Sequence, residues 1–124
     1  MRHSARAIII RDRKLLLVTA HGTGSYWTPG AGIEHGEESL QTLRRELHEE
    51  LGVSTFTHQE FSSYAIDDQT VTNFLVTTAD TIVPASEITD YIWYGSSDLR
   101  DNTIQVSEGV RKMIIPQLIN DGLF

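Results

Sequence analysis

Apolar residues along this 124-residue chain come first in two near-continuous runs, then in a helical stripe, then in alternation with polar ones. Residues 5–10 and 15–18 are rich in Ala, Ile, Leu and Val, with Asp12 and Arg13 between them. That pattern predicts two strands joined by a turn, central in a sheet and buried on both faces. Residues 19–25 form a polar loop containing glycine and His21, the latter expected to be solvated. Of the aromatic pair that follows, Trp27 is expected in the core, and Tyr26 is left open between the core and the wall of a cleft. Leu40, Leu43, Leu47 and Leu51 recur at three- and four-residue steps, the signature of an amphipathic helix. Residues 54–66 and 70–78 alternate around Asp67, Asp68 and Gln69, which predicts a hairpin. His58, Tyr64 and Phe74 in its arms are expected to serve sheet packing or surface. A short strand at 91–94 carries Trp93, and residues 96–99 read as a turn or a helical start. Ser107 is placed to cap a last helix running to about Asn120. Val110, Met113, Ile114, Leu118 and Ile119 would form its buried side, and Pro116 would kink it. Strand, strand, glycine loop, helix, hairpin, strand and helix make a mixed α/β arrangement with helices on the faces of a sheet.

The chemistry concentrates in residues 29–53, PGAGIEHGEESLQTLRRELHEELGV. At about 100° per residue, Glu46, Glu49 and Glu50 fall within roughly 100° of one another on the helix, beside the leucine stripe. Like charges at this spacing do not stabilise a helix. They do form a cluster of hard oxygen ligands suited to Mg²⁺ or Mn²⁺. Ser39 is a plausible N-cap, with Glu37 and Glu38 near the positive end of the helix dipole. Gly52 suits the left-handed residue that ends a helix. In front lie Gly30, Gly32 and Gly36. Glycines let backbone approach a ligand closely, and a loop running into a helix N-terminus is a common phosphate neighbourhood. His48-Glu49-Glu50 does not make a zinc protease motif, because Gly52 stands where a second histidine would be.

This stretch resembles the Nudix box, G-x5-E-x7-R-E-U-x-E-E-x-G-U with U a bulky aliphatic residue. Glu37 stands at the first Glu, Arg45-Glu46-Leu47 at R-E-U, Glu49-Glu50 at E-E, and Gly52-Val53 at G-U. The one departure is Ala31 at the first Gly. Were positive φ required there, alanine would cost roughly 1 kcal/mol. The resemblance implies an α/β (α+β) fold, a Nudix-like α/β/α sandwich with a mixed β-sheet, formed by residues 1–124 as one domain. It implies Glu46, Glu49, Glu50 and the Gly30 carbonyl as metal ligands. Arg45 and Glu37 would orient the cluster, and Gly30, Ala31 and Gly32 would contact substrate. The catalytic base would be Glu50 or Glu87, with Glu49 part of the catalytic group. Glu87 stands six residues before Trp93, and Asp90 is its nearest rival.

Composition narrows this reading. A formal net charge of −7 argues against a general nucleic-acid binder. A polyanionic substrate would be repelled unless metal mediated its binding. No cysteine is present, which excludes disulfides and fits a reducing, cytoplasmic setting. Arg11, Asp12, Arg13 and Lys14 interrupt the first apolar run, so it is read as neither signal peptide nor membrane span. The resulting expectation is an Mg²⁺-dependent (or Mn²⁺-dependent) pyrophosphohydrolase. It would cleave a diphosphate linkage in a nucleoside triphosphate, oxidised nucleotide, ADP-ribose or nucleotide sugar. The alternative is a Nudix domain that binds or senses a nucleotide without turnover. A homodimer is an expectation from the resemblance alone.

Overall fold

The computed structural model describes residues 2–124. Six strands form one mixed sheet: β1 (Arg2–Arg11), β2 (Lys14–Ala20), β3 (Gly30–Gly32), β4 (Thr57–Ile66), β5 (Gln69–Thr77) and β6 (Ile88–Tyr94). Their order is β4-β5-β1-β2-β6, with β3 also paired to β1. The helices are α1 (Ser39–Leu51), α2 (Ser96–Asp101) and α3 (Ile115–Asn120), the last entered through a π-helical turn at Val110–Ile114. The sheet is a mixed α+β one, as the sequence implies.

β1 is the organising strand. Its first half lies between β3 and β5, antiparallel to β3 and parallel to β5, and its end turns into β2. Asp12 and Arg13 take φ of 51° and 62°, the left-handed geometry that a two-residue hairpin turn requires. Side chains alternate across the sheet. Ala5, Ala7, Ile9, Leu16 and Val18 face one core, and Ile8, Leu15 and Leu17 face the other. The predicted burial of both faces therefore holds. Leu43, Leu47 and Leu51 of α1 are fully buried in the first core, with Leu40 packed at its margin. The C-terminal helical segment covers the second core through Val110, Ile114, Ile115 and Leu118.

Several expectations need correction. The N-cap of α1 is Glu38, not Ser39, and its backbone N–H donates to Gln41 Oε1 at 2.7 Å. Ala31 is not a positive-φ position: it lies extended in β3, paired with Ala5. The condition under which alanine would be strained there is not met. Met113 and Ile119 are 39% and 52% exposed, whereas Ile115 is buried. The wide π turn shifts the phase of the helix. It also accommodates Pro116, which has no N–H to donate and whose ring would crowd the carbonyl four residues earlier. Other expectations stand. Gly52 ends α1 at φ 68°, its N–H donating to the His48 carbonyl. The Ser107 hydroxyl accepts from the Val110 N–H at 3.4 Å. The 67–69 hairpin closes with Asp67 at φ 54°.

Candidate active site

Glu46, Glu49 and Glu50 project from the last two turns of α1, and Arg45 ties this group to the loop before the helix. Its Nε donates to Glu37 Oε2 at 2.9 Å and its Nη2 to Glu37 Oε1 at 3.0 Å. Its Nη1 donates to Glu46 Oε1 at 2.6 Å and more weakly to Glu49 Oε2 at 3.4 Å. Glu37 also accepts from the Thr42 hydroxyl at 2.9 Å and the Glu34 N–H at 3.1 Å. Arg45, above all, holds the Glu37 pKa down to about 2. Arg45 is in turn raised, chiefly by Glu37.

Glu50 differs from its neighbours. It is 7% exposed, and its Oε2 has no hydrogen-bond partner. Burial, then the adjacent Glu46 carboxylate, push its pKa up to about 8, while Arg6 and the Gly30 backbone pull it back. Two carboxylates side by side, one of them buried and unsatisfied, favour a proton or a cation between them. Among the described residues, no three carboxylate or imidazole groups converge on one metal-sized point. Arg45 holds the Glu46 and Glu49 carboxylates. The donor set nevertheless fits a hard divalent ion: carboxylate oxygens, one of them orphaned, with the Gly30 backbone against Glu50.

Gly30 lies at the junction with the sheet. Its φ is 138°, and a Cβ there would overlap the Ala5 carbonyl oxygen and lie 2.8 Å from Arg6 Cα. Only glycine lets β3 pass so close to β1. Arg6, on β1, donates from Nη1 to the Thr28 carbonyl at 2.8 Å and to the Gly30 carbonyl at 3.4 Å. Burial lowers the Arg6 pKa, and Glu50, Tyr64 and Glu46 act in the opposite direction. Beside Arg6 opens a cleft of about 250 Å³, walled by Trp27, Thr28, Tyr64, Ser107 and Gly109 among others. Sequence reading passed over Arg6, which sits within an otherwise apolar strand.

Glu87 lies exposed in the turn before β6. Its loop is fastened to the end of α1: Val83 N–H donates to the Leu51 carbonyl at 2.9 Å, and Ala85 N–H to the Glu50 carbonyl at 2.8 Å. The loop is thus tied to the backbone of Glu50, though among the described residues no hydrogen bond joins the Glu87 and Glu50 side chains. Asp90 is engaged elsewhere, accepting from the Tyr26 hydroxyl at 2.6 Å. Trp27 bridges Val18 and packs on the first core as expected, and it also faces the cleft. His58 packs edge-on against Phe56 and Phe74, and Phe74 is buried, so neither His58 nor Phe74 faces the cleft. Tyr64 does.

The fold recurs in solved proteins. A MutT structure, described for Aliivibrio salmonicida and Vibrio cholerae, matches at TM-score 0.81 and 23% identity over 97% of this chain and 98% of that one. The MutT NUDIX hydrolase of Burkholderia pseudomallei matches at TM-score 0.76 and 20% identity over 89% and 92%. The dihydroneopterin triphosphate pyrophosphohydrolase of E. coli matches at TM-score 0.74 and 18% identity over 95% of each chain. No curated protein matches by sequence. The family model of the NUDIX domain matches residues 1–114. With the box carboxylates, the glycine junction and this match together, the chain belongs to the Nudix family.

Proposed function

We propose that this protein hydrolyses a diphosphate linkage in a nucleoside diphosphate derivative, with a divalent cation as cofactor. The class comprises nucleoside triphosphates, oxidised nucleotides, ADP-ribose and nucleotide sugars. The observation that carries the reading is the buried, unpartnered Glu50 Oε2 beside Glu46, with the backbone of the glycine strand against its carboxylate.

Glu46, Glu49, Glu50 and the Gly30 carbonyl would hold the ion. When bound, Mg²⁺ or Mn²⁺ supplies the positive charge that offsets the diphosphate and eases ionisation of the attacking water. Arg45 keeps the Glu46 and Glu49 carboxylates on one side of the helix, and Glu37 fixes Arg45. Such outer partners set the direction of ligands without touching substrate. Extended backbone at Gly30, Ala31 and Gly32 offers phosphate a close approach. Water oxygen bonds to phosphorus, the bridging P–O bond breaks, and the water proton passes to a carboxylate. Glu50 and Glu87 are the candidates for that base. The burial of Glu50 raises its affinity for a proton, which favours it. The fastening of the Glu87 loop to the Glu50 carbonyl keeps Glu87 in contention. No helix among the described residues is long and apolar enough to cross a membrane.

The test is product formation from triphosphates, oxidised guanine triphosphate, ADP-ribose and dinucleoside polyphosphates in Mg²⁺, with Glu50→Gln alongside. Turnover of one class, lost in the variant, supports the reading and names the substrate. Nucleotide binding with no turnover of any compound overturns it in favour of a sensing domain.

A further inference from the structure

Arg6 is a half-buried cation without a counter-ion in contact. Among the described residues, no carboxylate lies within ion-pair distance of it. Among the described residues, only Nη1 finds acceptors, two backbone carbonyls, and Nε and Nη2 have none. Its register partner on β5, Asn73, is fully buried and has its own unpartnered Oδ1, yet no bond joins the two. The guanidinium instead reaches the β3 side and lines the cleft. It is electrostatically coupled to Glu50 and Glu46 without pairing with either. The Gly30 backbone stands between them: its carbonyl accepts from Arg6, and Glu50 is hydrogen-bonded to the same residue.

We propose that Arg6 is a substrate-binding residue whose free Nε/Nη2 edge takes a phosphate oxyanion of a substrate seated in this cleft. The planar fork of a guanidinium matches two oxygens of one phosphate. Other charges around the cleft do not compete for Arg6. Glu108 is held by Lys112 at 2.5 Å, Asp67 lies exposed in the hairpin turn, and Arg2 adds a second positive charge nearby. A neutral group resting on Arg6 would leave the cation unpaired in a partly enclosed site, so the cleft favours substrates that place a phosphate at its inner end. This rests on the diphosphate-hydrolase reading.

The test uses methylenediphosphonate, a diphosphate mimic with a non-hydrolysable bridge, titrated calorimetrically into the whole protein in Mg²⁺. Arg6→Gln keeps N–H donors for the Thr28 and Gly30 carbonyls and removes the charge and the fork. Loss of one charge-assisted pair predicts affinity weaker by about tenfold or more. Arg6→Lys should recover part of it. Unchanged affinity in Arg6→Gln, or no binding of the mimic to the native protein, overturns the proposal. If Arg6→Gln fails to fold, Arg6→Lys carries the test: a several-fold loss sustains the proposal, and unchanged affinity overturns it. Turnover of the nucleotide panel by the native protein and by Glu50→Gln is scored separately. A failed hydrolase reading is thereby distinguished from a failed assignment of Arg6.

Discussion

Arg45 and Glu37, eight residues apart, meet as a two-pronged pair at 2.9 and 3.0 Å, and the remaining prong of the arginine reaches Glu46. One guanidinium therefore links the loop before α1 to the carboxylates at its far end. Replacing Glu37 by Gln removes the charge that fixes Arg45 and leaves the fold in place. Activity should fall about 10- to 100-fold through weaker metal affinity and misdirected ligands. A metal titration of the rate should show the activation constant rising. An unchanged constant with an unchanged rate would mean that Arg45 needs no anchor.

The same pair sets an acid limit. Glu37 has its folded pKa lowered from 4.5 to about 2, so it stabilises the fold fully above its unfolded value. That contribution fades as pH falls through the window from about 4.5 to 2. Urea midpoints measured down this window should decline more steeply in the native protein than in Glu37→Gln. Parallel declines would contradict the assignment.

Glu50 carries the opposite sign. Its folded pKa is raised to about 8, so ionising it is harder in the fold than in the open chain. Stability is lost as pH climbs from the ordinary carboxylate value towards 8. Without added metal, Glu50→Gln should melt higher than the native protein at pH 8 and show little gain at pH 5. The variant expected to abolish turnover is thus expected to be the more stable one, a common trade at active sites. Equal melting at pH 8 would show that the carboxylate is better solvated than its burial indicates.

Gly30 and Ala31 are adjacent and should respond in opposite ways to the same pair of residue types. Gly30→Ala adds a Cβ against the Ala5 carbonyl at φ 138° and should cost about 2 kcal/mol or more. Ala31→Gly restores the usual box residue at an extended position with no positive φ, and should cost up to about 1 kcal/mol. Urea denaturation of the two variants decides this. A stabilising Ala31→Gly would mean that the backbone there is strained after all.

Much of this was legible because it is local. The leucine stripe, Gly52, the turn at Asp12-Arg13 and the Asp67 hairpin each follow from neighbours a few residues apart. What escaped depends on distant partners or on a change of period. Arg6 carries no local signal that sets it apart from the strand around it. Its neighbours, Gly30 on one side and Asn73 on the other, are brought together only by the order of the sheet. Met113 and Ile119 were assigned to the buried side because an ideal α-helix was assumed, and a π turn before Pro116 rotates them outward. Among the candidate site residues, the Arg45–Glu37 contact follows from motif spacing. The isolation of Glu50 Oε2 and the capture of Asp90 by Tyr26 depend on packing, which spacing does not encode.

The parallel ladder between β1 and β5 joins residues 2–9 to residues 69–76, with the entire box in the intervening chain. Closing so long a loop is entropically costly and slow compared with winding α1. Arg6 acquires its neighbours on both sides only when that ladder forms. During refolding, the far-ultraviolet signal of helix should therefore return before catalytic competence. A chain caught between the two would carry Glu46, Glu49 and Glu50 on a formed helix and still lack the sheet that sets Gly30 beside them.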